Sequence, residues 1–138
     1  MELERISWVE YFSDLCKLVS KRSPCTRLQV GCVLVKNNRI IATGYNGFLP
    51  NAPHESIISD NHEQATIHAE QNCIADCAKR GVETENSIAY ITHYPCINCY
   101  KILIASGIKE INYIEDYKNN EIVEQINKNL GVSIRKID

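Results

Sequence analysis

A long apolar run, a surplus of basic side chains and an internal repeat are all absent from this sequence. Without an apolar run of about 18 residues we expect no membrane-spanning helix. Residues 1–20 carry acidic side chains throughout and lack the basic start and apolar core of a secretory signal. Fifteen basic and seventeen acidic side chains give a net charge of −2, which excludes the broad basic surface that binds long nucleic acids but allows a small basic pocket.

Cysteine, in contrast, is plentiful, with seven in 138 residues. The number is odd, Cys96 and Cys99 form a metal-type pair, and no secretory signal is evident, so we expect a reducing compartment, the cytoplasm. A hydrophobic fraction of 44% is typical of an ordinary globular protein. The chain length predicts one domain over residues 1–138 with a single core.

Apolar periodicity predicts four helices and five strands in the order αββαβαβαβ. The predicted helices cover residues 5–20, 67–79, 96–105 and 120–130, and the predicted strands cover residues 28–35, 39–43, 87–92, 110–114 and 132–136. Asn37-Asn38 is a plausible hairpin turn between the first two strands. This order predicts an α/β fold, a three-layer α-β-α sandwich with a mixed five-stranded sheet.

Two short stretches carry the residue types of a metal site: His68-Ala69-Glu70 and Pro95-Cys96-Ile97-Asn98-Cys99. One imidazole and two thiolates are three zinc ligands, which leave the fourth tetrahedral position open for water. Residues two apart on a helix point about 200° away from each other. His68 and Glu70 can therefore share a metal only at the N-terminal end of a helix, and Glu70 lies on an apolar stripe, so we expect its carboxylate to be buried.

The H-x-E and P-C-x-x-C pair resembles the signature of zinc-dependent nucleobase deaminases. In such an enzyme zinc lowers the pKa of its bound water toward about 7, and the hydroxide attacks the ring carbon that bears the amine. Glu70 would pass the water's proton to the ring nitrogen and then to the departing amine. The alternatives are a closed structural zinc site, which lacks an obvious fourth ligand, and a redox cysteine pair, which needs neither His68 nor Glu70.

Nearly the whole chain resembles the deoxycytidylate deaminase family. The resemblance is carried by Pro24-Cys25-Thr26-Arg27, Val30-Gly31, Ala42-Thr43-Gly44-Tyr45-Asn46-Gly47, His62, Ile67-His68-Ala69-Glu70, Asn72, Pro95-Cys96-x-x-Cys99, Lys101 and Gly107-Ile108. It implies a cytidine deaminase-like fold and hydrolysis of dCMP to dUMP with release of ammonia. The dUMP would supply thymidylate synthesis.

The resemblance also implies several substrate contacts. Arg27 would bind the 5′-phosphate through paired hydrogen bonds, and Asn46 would bind the sugar hydroxyl or the base. Tyr94 and Tyr117 would stack on the base or sugar, and the backbone around Ala69 would orient the base. The alternatives are a solvated surface arginine, a turn-forming asparagine, and tyrosines of the core or rim.

Three further features follow from the resemblance alone. A second, structural zinc would bind Cys25, His54 and His62, although no fourth ligand is evident in the loop from Phe48 to Gln64. The activator dCTP and the inhibitor dTTP would bind at an allosteric site near Gly44, Tyr45, Asn46 and Gly47. The protein would be a homo-oligomer, a hexamer.

Three other functions remain open from the sequence. The enzyme could also accept dCTP as a substrate. It could be a tRNA adenosine deaminase, although neither the charge of −2 nor the ending Arg135-Lys136-Ile137-Asp138 supplies a basic face or binding tail. It could be a catalytically silent zinc module, against which Glu70 argues, because a structural site has no use for a proton carrier.

Overall fold

The computed structural model describes residues 3–137. The helices are α1 (Trp8–Ser20), α2 (Ala69–Arg80), α3 (Ile97–Ala105) and α4 (Glu121–Leu130). The strands are β1 (Gly31–Lys36), β2 (Arg39–Tyr45), β3 (Gly47–Phe48), β4 (Ile58–Ser59), β5 (His62–Glu63), β6 (Thr66–Ile67), β7 (Ile88–His93), β8 (Glu110–Glu115) and β9 (Ser133–Lys136). All four predicted helices and all five predicted strands are present, with ends that differ by a few residues.

The five longer strands form one sheet in the order β2-β1-β7-β8-β9. Strand β1 is antiparallel to both β2 and β7, whereas β7, β8 and β9 are parallel. Helices α3 and α4 supply the crossovers that parallel neighbours require. The prediction of a mixed five-stranded sheet is confirmed, and so is the turn at Asn37 and Asn38, whose φ values are 51° and 60°.

Helices cover both faces of this sheet. Val33 and Val35 of β1 pack with Phe12 of α1 on one face. Cys32 and Leu34 belong to the larger cluster on the other face, which includes residues of α2, α3 and α4. The alternation along β1 buries both of its faces, as its almost continuous apolar sequence predicts. The three-layer α-β-α sandwich is confirmed.

The first helix differs from its predicted pattern at Trp8. Trp8, Phe12, Leu15 and Val19 recur at helical spacing and predict an apolar stripe that covers the sheet. Trp8, however, is 55% exposed, and its ring stacks on Phe12 with ring centroids 5.6 Å apart. Trp8 is the first residue of the helix and packs on Phe12, whereas Phe12 and Cys16 one and two turns later are buried against the sheet. Within residues 3–137, no helix combines the length and apolar character needed to cross a membrane.

Two corrections concern the region that follows β2. The sequence predicts that Gly44 to Gly47 break the strand, but β2 continues through Tyr45, and Gly44 pairs with Cys32 in the ladder. The segment predicted to be an irregular polar loop contains two small antiparallel pairs, β3 with β6 and β4 with β5. Asp60 and Asn61 form the turn of the second pair with φ values of 51° and 63°. Two-residue strands are too short to show an alternating apolar pattern.

Candidate metal centre and active-site cavity

The two metal-type stretches lie at the N-terminal ends of two helices. His68 caps α2 in an extended conformation and donates its backbone N–H to Gln71 Oε1 at 2.8 Å. Cys96 caps α3, also extended, and its Sγ accepts a hydrogen bond from the Cys99 backbone N–H at 3.4 Å. The helices predicted to begin at residues 67 and 96 thus begin just after these caps. His68 lies just before the helix, in an extended conformation. The rule that helix residues two apart point in opposite directions therefore does not apply to it, and His68 and Glu70 can face the same centre.

Three ligand atoms converge between these helix ends. His68 Nδ1 lies 3.3 Å from Cys99 Sγ and 3.7 Å from Cys96 Sγ. A tetrahedral zinc with ordinary Zn–N and Zn–S bonds places such atoms about 3.5 Å apart, so the three side chains fit the ion. In the part of the chain that the structure describes, this is the only group of three or more such ligand atoms within 4.8 Å of one another. Three protein ligands without a fourth are typical of a catalytic zinc site.

The two thiols differ in their electrostatics. The thiol of Cys99 donates a hydrogen bond to Cys96, and with a smaller contribution from His68 this lowers the pKa of Cys96 to about 4. The same hydrogen bond, together with burial, raises the pKa of Cys99 above its usual value. Cys96 is therefore a thiolate at neutral pH even without a metal, at a helix N-terminus that favours negative charge.

Glu70 is the acidic group closest in sequence to this centre. Its side chain is only 4% exposed, which confirms the prediction of a buried carboxylate. Burial raises its pKa to about 7, an effect that the nearby charge of His68 partly offsets. A carboxyl group with this pKa both accepts and donates protons near neutral pH, as a general acid–base catalyst must.

One cavity of about 800 Å³ contains this centre. The predicted site residues that line it are Cys25, Arg27, Asn46, His54, His62, His68, Ala69, Glu70, Tyr94, Cys96 and Tyr117. Of the predicted zinc ligands, Cys99 is fully buried and lies behind the cavity surface. The structure therefore brings the predicted catalytic and substrate-binding residues to one place.

Asn46 and Tyr94 also have structural contacts at the cavity wall. The Asn46 amide donates to Leu28 O and accepts from the Val30 N–H, both at 2.8 Å, so it holds the segment that precedes β1. Tyr94 is 4% exposed and donates its hydroxyl to Glu124 Oε1 at 2.9 Å. These bonds fit the alternatives of a turn-holding asparagine and a core tyrosine, and the predicted substrate contacts of both residues stay predictions.

Arg27 and Tyr117 are exposed at the cavity, and two further residues, Lys118 and His93, line it beside Tyr117. Lys118 lines the cavity, and its ammonium lies 5.3 Å from the centroid of the Tyr117 ring. His93 also lines it, and its ring is nearly perpendicular to the Tyr117 ring, with the two ring centroids 5.9 Å apart. A single lysine in a loop and a single histidine at the end of β7 carry no spacing pattern, and only the adjacency of Lys118 to Tyr117 indicates that lysine from the sequence.

The proposed second metal site is less complete. Cys25, His54 and His62 line the cavity, but their ligand atoms do not form a group within 4.8 Å in the region from residue 3 to residue 137. The His54 ring stacks on Phe48 with centroids 4.9 Å apart. The Glu63 carboxylate, next to His62 in the chain, accepts hydrogen bonds from two backbone N–H groups. The second zinc stays a prediction.

The residues predicted for allosteric nucleotide binding have close packing contacts. A Cβ atom at Gly44 would lie 2.7 Å from the carbonyl oxygen of Ala69, so the start of α2 can approach β2 only over a glycine. At Gly47 a Cβ atom would lie 3.2 Å from the Pro24 side chain. Tyr45 lies under the guanidinium of Arg22, 5.7 Å from the ring centroid. These contacts explain the residues structurally, and nucleotide binding there stays a prediction.

Comparison with known proteins agrees with this geometry. The model of the cytidine and deoxycytidylate deaminase zinc-binding region matches residues 6–115, which contain His68, Glu70, Cys96 and Cys99. The predicted zinc cofactor is thereby confirmed, because a zinc-binding family and a fitting ligand group coincide.

Individual relatives extend the match over nearly the whole chain. ComE operon protein 2 of Bacillus subtilis is 41% identical over 99% of this chain and 74% of its own length. Deoxycytidylate deaminase of Saccharomyces cerevisiae is 33% identical over 97% of this chain, which spans only 46% of that protein. The dCMP deaminase of cyanophage S-TIM5, solved with dCMP and dUMP, is 30% identical with a TM-score of 0.84 over 98% of this chain and 100% of that one.

Proposed function

The chain belongs to the zinc-dependent cytidine and deoxycytidylate deaminase family, and from this premise we propose that it hydrolyses dCMP to dUMP and ammonia. The arrangement that carries the proposal is the buried Glu70 carboxyl beside His68, Cys96 and Cys99 in a nucleotide-sized cavity. The names of the yeast and phage relatives and the dCMP and dUMP bound by the cyanophage enzyme support this choice of substrate.

His68, Cys96 and Cys99 would hold the ion at the two helix ends. When bound, zinc supplies a Lewis acid that lowers the pKa of a water molecule toward about 7. Glu70 accepts a proton from the attacking water and delivers it to the ring nitrogen of cytosine. It then takes the remaining proton from the hydroxyl that has been added to the ring carbon and transfers it to the exocyclic amine, so that the carbon–nitrogen bond breaks, ammonia leaves and the carbon keeps the oxygen as a carbonyl. The near-neutral pKa of Glu70 suits both directions of transfer.

The cavity wall orients the nucleotide in this proposal. Arg27, exposed at the cavity, binds the 5′-phosphate, and the Tyr117 ring packs on the sugar or base. The backbone of Ala69, buried beside Glu70, orients the base. Cytosine thereby presents its amine-bearing carbon to the metal centre.

We place this domain, residues 1–138, in the cytoplasm, where its product supplies thymidylate synthesis. The reducing conditions there keep the Cys96 and Cys99 thiols available as zinc ligands. The proposal includes a homohexamer activated by dCTP and inhibited by dTTP near Gly44 to Gly47, and no long nucleic acid as partner.

A structural zinc at Cys25, His54 and His62 is also part of the proposal. The supporting observation is that all three side chains line the same cavity. We expect about two zinc ions per chain, falling to about one in His62→Ala, by elemental analysis. One zinc in the wild-type protein would contradict the second site.

Substrate choice is tested by ammonia release from cytidine, dCMP, dCTP and a tRNA anticodon hairpin, with the zinc-loaded protein. We expect the highest kcat/KM for dCMP. Comparable turnover of dCTP would widen the substrate class to higher phosphates. Activity on the hairpin alone would overturn the proposal in favour of a tRNA deaminase.

A further inference from the structure

Arg27 and Lys118 are two exposed cations that line the cavity. Across residues 3–137, neither lies within ion-pair distance of a carboxylate; the ion pairs there involve Lys36, Arg80, His93, Arg135 and Lys136. The cavity's own carboxylates are directed elsewhere, since Glu63 accepts backbone N–H groups and Glu70 is buried beside the metal centre. An anion that enters the cavity therefore finds two lining cations that form no ion pair with a described carboxylate.

The loop that carries Lys118 is held in one conformation by hydrogen bonds. The Tyr117 N–H donates to Asn119 Oδ1, and the Asn119 amide donates to Asp116 Oδ1, both at 2.9 Å. Asp116 Oδ2 in turn accepts from Lys136 Nζ at 2.8 Å. Lys118 has a φ of 46°, in the left-handed region that non-glycine residues seldom adopt. The surrounding bonds maintain this costly conformation, which is typical of residues at binding sites.

The ring beside Lys118 is positioned by the end of β7. His93 contacts the edge of the Tyr117 ring, and its Nε2 lies 3.0 Å from Glu115 Oε2. Its Nδ1 lies 2.7 Å from Thr92 Oγ1, which accepts the Gly31 N–H at 3.0 Å. The Glu115 carboxylate can only accept hydrogen bonds, so the Nε2 of His93 carries the hydrogen, and in the neutral ring Nδ1 then accepts from the Thr92 hydroxyl. These bonds hold the His93 ring in place, and His93 in turn supports the Tyr117 ring beside which the Lys118 ammonium lies.

We propose that Lys118 is a specificity-determining residue that binds the 5′-phosphate together with Arg27, so that the site selects a nucleotide over a nucleoside. This inference rests on the proposed deamination of a cytosine nucleotide and adds the residue that recognises its phosphate. Charge-assisted hydrogen bonds from ammonium and guanidinium to phosphate are among the strong ones in proteins. The phosphate does not react, so this contact contributes to KM and leaves kcat nearly unchanged.

The test compares Lys118→Gln with the wild-type zinc enzyme on dCMP and on deoxycytidine. We expect kcat/KM for dCMP to fall at least about tenfold, through KM, with less than about a twofold change for deoxycytidine. Lys118→Arg keeps the charge and should recover dCMP activity to within about threefold. Lys128→Gln removes an exposed lysine of α4 that does not line the cavity, and it should match the wild type.

Inorganic phosphate gives a second readout that does not depend on nucleoside turnover. As a competitor of dCMP, it should inhibit Lys118→Gln at least about fivefold more weakly than the wild type. An equal loss on both substrates, an unchanged KM for dCMP, or unchanged phosphate inhibition would overturn the role of Lys118. A wild-type enzyme that deaminates neither substrate would instead overturn the proposed function, and the two failures are thereby distinguished.

Discussion

The cavity has two regions that are built differently. Its floor, formed by His68, Glu70, Cys96 and Cys99, lies at the first residues of two helices anchored on the sheet. Its rim, formed by residues 24–28, 47–67 and 116–119, consists of loops and two-residue strands with several positive φ values. In the proposed function, the floor holds the groups that change bonds and the rim holds those that select a substrate. The proposal therefore predicts that floor variants change the reaction itself, whereas rim variants change substrate preference.

Loss of a metal ligand should have the largest effect of any floor variant. Cys99→Ser replaces a buried thiol, which becomes a thiolate ligand when zinc binds, by a hydroxyl that binds zinc poorly. We expect the zinc content to fall by about one ion per chain and ammonia release to fall to the level of the zinc-free protein. Elemental analysis and an ammonia assay on the same sample measure both.

Cys77→Ser is the matched control, because Cys77 is also buried but lies on α2 away from the ligand group. It should keep its zinc. If Cys99→Ser retained both metal and activity, the three-ligand centre would be wrong.

Glu70→Gln should affect the chemistry without affecting the metal. The amide has nearly the shape of the carboxyl group but cannot carry the proton, so kcat should fall about 10³- to 10⁴-fold while zinc stays bound. Single-turnover ammonia release, with zinc content measured in parallel, separates the two effects. Loss of the metal would show that Glu70 is a ligand, which would contradict its role as proton carrier. Glu121→Gln, an exposed carboxylate on α4, should have no effect.

The same division between floor and rim explains what the sequence predicts. His68, Glu70, Cys96 and Cys99 follow a fixed spacing because a helix N-terminus and a tetrahedral ion leave few alternatives. The large strands and helices are predicted by apolar periodicity, which burial imposes over many residues. The predicted starts of α2 and α3 are one or two residues too early, because the sequence pattern counts the extended capping residues His68 and Cys96 into the helices.

The rim could not be predicted in the same way. Lys118 and His93 occur in no repeating pattern, and their positions depend on hydrogen bonds to Asn119, Thr92 and Glu115. The contact of His93 with Glu115 forms only once β7 and β8 lie side by side in the folded sheet, and the bond to Asn119 forms only once the loop has turned. The requirement for a glycine at position 44 cannot be predicted from the local sequence either. It comes from contact with the start of α2, which is distant along the chain.

Gly44→Ala tests whether the floor depends on this close approach. The added Cβ would meet backbone atoms, the Ala69 carbonyl at 2.7 Å and the Cys73 N–H at 2.9 Å, which cannot rotate away. We expect a loss of about 1–3 kcal/mol in the free energy of unfolding, measured in urea, and a fall in kcat as His68 shifts. Gly47→Ala meets only side-chain atoms, of Pro24 at 3.2 Å and of Tyr45 at 3.6 Å, and should cost less. Equal effects would show that α2 does not need this contact.

Tyr94→Phe, with the smallest expected effect, decides to which region Tyr94 belongs. Its hydroxyl donates to Glu124 of α4, just as the hydroxyl of Tyr100 donates to Asn127 of the same helix, both at 2.9 Å. Each Tyr→Phe change should therefore cost about 1 kcal/mol in the free energy of unfolding. Tyr100 does not line the cavity, so Tyr100→Phe is the matched control. If Tyr94→Phe keeps kcat/KM for dCMP within about twofold, as Tyr100→Phe should, its hydroxyl only supports the wall. A tenfold fall confined to Tyr94→Phe would place that hydroxyl in contact with substrate.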